Sequence, residues 1–414
     1  MAIKRRTTVT REGLYYLFVL SFIIGGALMR EINLLLVLAG VMMGPVLLGW
    51  RTAVRQLRFF EIQRKLPRQI GAGELLVVDM QLANTHPKWS KWAVAVEDQV
   101  VFLGSQSASA SRRPGLFFPF TKPATCETRT YQGRLYQRGE YSFGPLTVSC
   151  SFPMGLVRRT VTLDDQQRLL VYPRMGELTP RWQQLVEPDR MGNQRSQSHR
   201  GITGGEFHGL RDWRVGDSRG WIHWRTSARR NKLTVREFEQ QLNQDLAILL
   251  DLGNVDWQDE LSVQTAETAI SFVATAVSRQ CRVGSSRLVL VIAGQSNEII
   301  SGATSIGLSQ EIMQRLATAR TSRRDVAPES LAEFLNVTPR AASMVFVSTR
   351  PIDLANTDRF TTVWEDTDHR TLLGRMICLQ VGSEEFKACF RMHQQPAPEM
   401  IDDTNETNDT EITV

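Results

Sequence analysis

Two long apolar stretches lie almost end to end near the amino terminus of this 414-residue chain. Residues 14–29 and 32–49 contain no charged side chain, and only Arg30 and Glu31 separate them. At about 1.5 Å of rise per residue, each stretch forms a helix roughly 24 to 27 Å long, close to the thickness of a bilayer core. We therefore predict a two-helix transmembrane hairpin over residues 14–50.

A secretory signal peptide is the alternative interpretation of the first stretch. It predicts one apolar segment followed by small residues at a cleavage site. Here a second apolar stretch follows at once, which favours the hairpin.

Basic residues flank both ends of the predicted hairpin, whereas the turn carries a single arginine. By the positive-inside rule, both ends face the cytoplasm, and the protein is a multi-pass protein of the inner (cytoplasmic) membrane with most of its chain cytoplasmic. Residues 1–13 are then a cytoplasmic amino terminus, and the basic juxtamembrane segment 51–67 lies against anionic lipid headgroups of the bilayer. The flanking basic residues are Lys4, Arg5, Arg6 and Arg11 before the hairpin, and Arg51, Arg55, Arg58, Arg64, Lys65 and Arg68 after it.

Cysteine content and net charge exclude some classes of protein. The five cysteines are irregularly spaced and form no CxxC pair, which argues against a zinc site or a disulfide framework. A net charge of +6 is a modest basic excess and does not by itself indicate nucleic acid.

Short alternating apolar segments separated by Gly, Pro and Asn occupy residues 68–175, for example GELLVVDMQLAN and PLTVSCSFP. This pattern predicts an all-β immunoglobulin-like sandwich. Because no nucleophile, metal cluster or phosphate loop stands out, we interpret it as a spacer or docking module.

Residues 204–239 carry the densest chemistry of the chain, with three tryptophans and many interleaved acidic and basic residues. Interleaved charges favour ion-pair networks. We interpret residues 176–240 as a connector, in which Arg219, Arg225 and Arg229 satisfy the carboxylates and the tryptophan rings are buried.

Two other interpretations of this stretch stay open. An enzyme would use Glu206, His208 and Asp217, with Asp212 and His223 nearby, although GEFHG has no recognised metal-ligand spacing. A nucleic-acid site needs basic and aromatic residues without matching acids, and the acids present argue against it.

The stretch RDWRVGDSRGWIHWRTSARRNKLTVREFE resembles the signature of the domain of unknown function 58 family, which has Gly-Asp, Arg, Ile-x-Trp, Ser-Ala-Arg and Val-x-x-Phe-Glu in order. His223 fills a slot where many relatives carry an acidic or polar residue, which argues against a catalytic carboxylate there. The site residues that the resemblance implies are Glu206, Gly209, Arg211, Gly216, Asp217, Arg219, Trp224, Ser227, Arg229, Phe238 and Glu239.

Apolar strands alternate with helices through residues 241–395, which predicts an α/β domain with a parallel, doubly wound sheet. The strands are predicted over residues 245–252, 287–294, 343–348 and 376–381, and the helices over 263–281, 308–319 and 330–337.

This layout resembles a von Willebrand factor A-like domain. Such domains bind a divalent cation through Asp-x-Ser-x-Ser, but here only Asp251 is kept, because Gly253 and Val255 occupy the hydroxyl positions. We therefore predict a degenerate site at Asp251 that binds metal weakly or not at all, and no cofactor. Asp251 is then expected to cap the following turn.

Residues 396–414 are acidic and predicted to be disordered. Taken together, the sequence predicts a scaffold or adaptor rather than an enzyme. The family resemblance implies a bacterial or archaeal source, and work with a MoxR-type AAA+ ATPase and A-domain membrane proteins in the assembly or maturation of envelope or other complexes. The chain has no P-loop, so ATP hydrolysis would come from the partner.

Overall fold

The computed structural model describes residues 3–30, 33–104, 111–186, 206–215, 217–239, 245–256, 259–355, 359–392 and 411–413. The chain divides into two compact units, Met1–Arg174 with Gln395–Val414, and Met175–Gln394. The protein is therefore multidomain, as its sequence predicts.

Two long helices, α1 (Arg11–Arg30) and α2 (Asn33–Gln56), begin the first unit. They contact each other, and the Tyr16 hydroxyl donates a hydrogen bond to the Met42 carbonyl at 2.8 Å. Only 17% and 11% of their most apolar windows are buried, whereas the core helix of a soluble protein is mostly buried. Both are long and apolar enough to cross a membrane, which by itself is weak evidence of membrane association.

The rest of this unit is built from β-strands in three sheets around one apolar core. The sheet orders are β1-β11-β10-β5-β7, β3-β12-β9-β6 and β2-β4-β8-β22. The strands are β1 (Ile3–Val9), β2 (Phe60–Lys65), β3 (Ile70–Gly71), β4 (Leu75–Asn84), β5 (Lys91–Glu97), β6 (Val100–Phe102), β7 (Gly115–Thr121), β8 (Cys126–Arg134), β9 (Gly139–Phe143), β10 (Leu146–Cys150), β11 (Val157–Leu163), β12 (Gln167–Tyr172) and β22 (Glu411–Thr413).

The segment that precedes the two helices contains a strand, β1, that was not predicted from the sequence. Ile3–Val9 pairs antiparallel with β11, from Ile3 opposite Leu163 to Val9 opposite Val157. The Thr10 backbone amide then donates to the Leu156 carbonyl at 3.0 Å. The chain therefore leaves the β-sheet immediately before it enters α1.

The predicted juxtamembrane segment 51–67 is also different in the structure. Helix α2 continues to Gln56, and Phe60–Lys65 is a strand whose Arg64 side chain is fully buried. Arg64 Nη1 donates to Asp98 Oδ1 at 2.5 Å, and Nη2 donates to the carbonyls of Phe143 and Asp165 at 3.1 and 2.7 Å. The prediction that Arg64 faces lipid headgroups is therefore wrong.

The second unit contains a five-stranded sheet of order β18-β17-β16-β19-β20, with β16 at its centre. Three of its four strand pairs are parallel, but β17 and β18 are antiparallel. The prediction of a parallel sheet is therefore wrong at this edge. Only four residues join β17 to β18, which is too short for the crossover that a parallel pair requires.

The described elements of this unit follow in chain order. They are β13 (Glu177–Leu178), α3 (Pro180–Val186), β14 (Glu206–Asp212), a 3₁₀ helix (Arg219–Trp221), α4 (Trp224–Arg230), β15 (Thr234–Glu239), β16 (Leu246–Asp251), α5 (Glu260–Val283), β17 (Arg287–Ala293), β18 (Glu298–Ala303), α6 (Ile306–Thr318), α7 (Ala327–Val337), β19 (Ser343–Ser348), α8 (Thr361–Trp364), α9 (Thr367–Leu373), β20 (Ile377–Gln380), α10 (Glu384–Cys389) and β21 (Phe390–Arg391).

Most of the acidic tail predicted as disordered lies outside the described residues. Its Glu411–Thr413 segment is described, and it pairs as a parallel strand with β8. These three residues therefore differ from the prediction.

Candidate functional site

The residues that carry the family resemblance fold into a small hairpin, which we name the signature module (residues 206–215 and 217–239). Strands β14 and β15 pair antiparallel, with Leu210 opposite Arg236 and Asp212 opposite Thr234. The 3₁₀ helix and α4 lie between the strands in sequence.

A buried serine holds α4 against the hairpin. Ser227 Oγ accepts a hydrogen bond from the Thr234 amide at 2.9 Å and donates one to the Thr234 carbonyl at 3.3 Å. Ile222 and Val235, both buried, form a β-bridge beside it. Because both hydrogen bonds of this hydroxyl stay within the module, the Ser227 side chain has a structural role here.

Asp217 is bound by Arg211, near the end of β14, and by the backbone that follows this strand. Its two carboxylate oxygens accept hydrogen bonds from Arg211 Nη1 and Nη2, each at 2.7 Å, and Oδ2 also accepts from the Arg214 amide at 2.8 Å. This is a bidentate arginine–carboxylate pair, a strong and directional interaction. The prediction that Arg219, Arg225 and Arg229 satisfy this carboxylate is wrong, because Arg211 does.

His223 begins α4 rather than acting as a free base. Its Nδ1 accepts a hydrogen bond from the Thr226 amide at 3.2 Å, as expected of a helix N-cap. Two residues of the enzyme interpretation, Asp217 and His223, are therefore engaged in internal bonds.

The remaining predicted site residues are placed by their backbone alone. Glu206, His208 and Gly209 lie on β14, and Phe238 and Glu239 lie on β15, with Glu206 opposite Glu239. The side chains of Glu206, His208, Phe238 and Glu239, and Gly216 as a whole, lie outside the described part of the structure.

Many of the described side chains exposed on the module are basic, and Trp224 is exposed with them; Asp212 is an exposed acid of the same module. Trp224 is 66% exposed, which makes the prediction of buried tryptophan rings wrong for this residue. Arg219, Arg225 and Arg229 are exposed and form no ion pair with any side chain that the structure describes, a set that does not include those of Glu206, Glu237 and Glu239. We name this surface the basic face; its exposed members are Arg214, Val215, Arg219, Trp224, Arg225, Arg229, Arg230, Lys232, Leu233 and Arg236.

A cluster of charged side chains lies at the edge of the five-stranded sheet of the second unit where β16 and β19 both end. Asp251 is fully buried; its Oδ1 accepts from the Gly253 amide at 2.9 Å and its Oδ2 from Ser348 Oγ at 3.2 Å. Arg350 Nε lies 3.8 Å from Asp251 Oδ2, and the Arg350 guanidinium also pairs with Asp325. Asp251 thus caps the turn that follows β16, and an arginine supplies the positive charge beside it.

The two carboxyl groups of this cluster differ in acidity. Burial raises the pKa of Asp251, against the opposing effects of the Gly253 hydrogen bond and the Arg350 charge. Partial burial also acts to raise the pKa of Asp325, but Arg359 and Arg350 outweigh it and the pKa lies below its ordinary value. Arg359 Nε donates to Asp325 Oδ2 at 2.8 Å.

Sequence reasoning missed Asp325, Arg350 and Arg359. Arg350 could have been found from its place in the sequence, because it lies two residues after the end of the buried strand β19, at the same sheet edge as Asp251. Among the described residues, no three histidine, cysteine or acidic side chains come together as metal ligands.

Residues 209–362 match the family model described as "Protein of unknown function DUF58". The matched range covers less than half of the chain and runs from the signature module into the central sheet. The resemblance found in the sequence therefore holds for this region.

The chain is also similar to a curated bacterial protein and, at low identity, to parts of solved structures. The chain is 27% identical over 228 residues to the uncharacterized protein YeaD of Bacillus subtilis (strain 168), covering 53% of this chain and 55% of that protein. The chain thus spans about half the length of that relative.

Among solved structures, the CARDB domain of a Pyrococcus furiosus protein is 11% identical, covering 27% of this chain and 91% of that one, with a TM-score of 0.18. The sporulation control protein Spo0M of Bacillus subtilis is 9% identical, covering 31% and 54%, also at 0.18. Scores this low carry no argument about the fold.

Proposed function

We propose that this chain is a membrane-anchored adaptor that binds a protein partner through the basic face of its signature module. One observation carries the proposal: Asp217, Ser227 and His223 are used in internal bonds, while the basic face leaves its cations and Trp224 exposed. Arginine and tryptophan are enriched among the residues that contribute most to protein interfaces.

The spacing of two arginines supports a binding role for this face. Arg225 and Arg229 lie four residues apart on α4, so they share one side of the helix, and both are exposed. Like charges at this spacing destabilise a helix. An exposed local arrangement that costs stability is expected at functional sites.

We infer that α1 and α2 anchor the protein in the membrane. Their exposed apolar surfaces support this, as does their connection, since β1 precedes α1 and β2 follows α2 in the same unit. Both ends of the hairpin would then lie on one side of the bilayer, and the basic flanks favour the cytoplasmic side of the inner membrane.

We further propose the finer fold classes. The mainly antiparallel sheets around one core support an immunoglobulin-like sandwich in the first unit. The strand order with β16 at its centre and Asp251 at its carboxyl end supports a von Willebrand factor A-like domain in the second unit.

The family resemblance directs the choice of partner. We propose that a MoxR-type AAA+ ATPase binds this protein, together with A-domain membrane proteins, during assembly or maturation of envelope or other complexes. The ATPase would supply nucleotide hydrolysis, since the chain contains no P-loop sequence.

The test is capture of the full-length protein from native membranes in mild detergent, with and without ATP and Mg²⁺, followed by mass spectrometry. Nucleotide-dependent enrichment of an AAA+ ATPase is the expected result. Recovery of the protein alone under both conditions would contradict the proposal, and steeply salt-dependent retention on DNA or RNA would replace it with nucleic-acid binding.

The enzyme alternative is distinguished by Asp217→Asn. Because Asp217 forms the bidentate pair with Arg211, we expect this variant to lower the stability of the module. Full stability together with complete loss of cellular function would instead favour an active site around Glu206, His208 and Asp217.

A further inference from the structure

A pocket of about 330 Å³ lies at the carboxyl end of α2, within the first unit. It is formed by the last turn of the helix, the residues that follow it, and the segment that leads into β5. We name it the helix-end pocket. Residues that define it include Arg55, Phe59, His86, Trp89, Lys91 and Trp92.

Aromatic rings form much of its wall. Trp92 stacks on Phe152 with ring centroids 5.8 Å apart, and Phe59 contacts His86 edge-on at 5.3 Å. Phe59, Trp89 and Trp92 are each about half exposed. Rings of this kind have an apolar body and, for tryptophan, a polar tip, and they are enriched where a protein meets the membrane interface.

The pocket is also cationic. The Arg55 guanidinium lies 3.9 Å from the centre of the Trp89 ring, and Lys88 is exposed at the rim. The buried Lys91 ammonium donates to the Gln56 carbonyl at 2.5 Å, at the end of α2 where the helix dipole is negative. None of the residues that line the pocket in this structure is acidic.

Lys91 retains capacity to bind an anion. An ammonium has three donors, and one of them is used by Gln56. Burial lowers the pKa of Lys91 to about 8, which leaves the group mostly charged at neutral pH. A buried cation without a carboxylate is stabilised when an anion enters beside it.

The imidazole of His86 adds a hydrogen-bond donor. Its Nδ1 accepts hydrogen bonds from the amides of Lys88 and Trp89, at 3.1 and 3.0 Å. In the neutral ring, the proton is then on Nε2, which is a donor. The pocket thus combines three cationic side chains, an imidazole donor and aromatic rings.

We propose that the helix-end pocket binds the phosphate of an anionic phospholipid, whose acyl chains lie along the exposed apolar surface of α2. This inference rests on the proposed membrane anchoring by α1 and α2. Leu47, Leu48 and Trp50, on the turns of α2 that precede the pocket, are exposed and provide that apolar surface. A free phosphate shares the anionic chemistry, but it makes no use of the aromatic wall or the apolar helix.

The test uses the full-length protein in a neutral maltoside detergent, with native mass spectrometry after titration of phosphatidylglycerol or phosphatidylcholine of equal chain length. We expect preferential retention of phosphatidylglycerol. Arg55→Gln and Lys88→Gln should each weaken that preference by about fivefold, the contribution of one cation near an anionic surface. Arg58→Gln is the matched control, because Arg58 is an exposed arginine of the same segment that does not line the pocket.

Equal retention of the two lipids, or an equal loss in the Arg58→Gln control, would overturn the proposal. A separate titration with inorganic phosphate distinguishes the source of the anion: binding as tight as that of phosphatidylglycerol, and weakened by Arg55→Gln, would overturn the lipid assignment. Alkaline carbonate extraction of native membranes tests the anchoring by itself. Protein retained in the pellet but without lipid preference leaves the anchor standing and rejects the pocket, whereas release into the supernatant rejects the anchor.

Discussion

Arg64 and the arginines of the basic face show two opposite uses of the same side chain. Arg64 is fully buried and bonded to Asp98 and to two backbone carbonyls. Arg225 and Arg229 are exposed and have no ion pair with the side chains that the structure describes. A buried charge must be satisfied inside the fold, whereas an exposed cluster of like charges is available to a partner. Arg64 therefore specifies structure, and the basic face is where we place recognition.

The largest expected effect comes from breaking the buried pair. Asp98→Ala removes the carboxylate that Arg64 contacts at 2.5 Å and leaves it two carbonyls and the more distant, partly exposed Asp165 carboxylate at 3.5 Å. It also removes the acceptor of the Tyr131 hydroxyl, which donates to Asp98 Oδ2 at 2.9 Å. We expect a loss of about 3 to 5 kcal/mol in the free energy of unfolding, measured by denaturant titration of the full chain in detergent. Asp164→Ala, at an exposed position, is the control and should change it by less than about 0.5 kcal/mol. Equal stability of the two variants would show that the buried pair of Arg64 and Asp98 does not stabilise the fold.

Gly13→Ala tests the packing of α1 against the segment around Leu156, which precedes β11 in the same unit. An added Cβ would lie 2.1 Å from the Leu156 carbonyl oxygen, so the backbone must shift, and we expect a loss of about 1 to 3 kcal/mol by the same titration. Gly25→Ala, in the same helix with nothing within 4 Å, should be neutral or slightly stabilising. A stabilising Gly13→Ala would show that α1 does not pack against Leu156 in this way.

Ser227→Ala separates structure from recognition inside the signature module. The buried Thr234 amide loses its acceptor, which should cost about 1 to 2 kcal/mol. The effect is measured as faster amide hydrogen exchange of α4 and β15. Unchanged exchange in the variant would mean that Ser227 does not hold α4 to the hairpin.

The smallest effect on stability is expected from Arg225→Glu. The new glutamate lies four residues before Arg229 and replaces repulsion with attraction, so stability should rise by about 0.3 to 0.5 kcal/mol. A loss above 1 kcal/mol in the denaturant titration, relative to Arg282→Glu, would assign Arg225 to structure instead.

The sequence predicted those helices and strands whose pattern of apolar residues lies within the element itself. Residues 343–348 were predicted as a strand and form β19 with the same bounds, and the predicted helix 263–281 lies within α5. The first apolar stretch likewise falls within α1, and residues 33–49 of the second fall within α2, while Ile32 lies outside the described residues. In each case, the run of apolar residues or their period is itself the cause of the structure.

The partners that lie far away in the chain could not be predicted in this way. The pairing of β1 with β11 joins residues more than 140 positions apart, and nothing in the pattern of Ile3–Val9 names its neighbour. The antiparallel edge at β18 did have a signal, because its four-residue connection is too short for a parallel crossover.

In the candidate site too, the sequence identified the residues but could not predict their contacts. The motif identified the residues of the signature module, but not which arginine pairs with Asp217, since the interleaved charges allow several pairings. Exposure of Trp224 depends on how α4 is set on the hairpin, which is a property of tertiary packing. Arg350 and Asp325 come together from separate loops at one sheet edge.

The most direct test of the account compares partner capture by the wild-type chain, Arg225→Glu and the control Arg282→Glu from native membranes with ATP and Mg²⁺. Arg282 is an exposed arginine of the same unit outside the basic face. We predict that Arg225→Glu lowers the recovered AAA+ ATPase by about tenfold or more, while Arg282→Glu captures as much as wild type. Equal recovery with all three proteins would contradict recognition by the basic face.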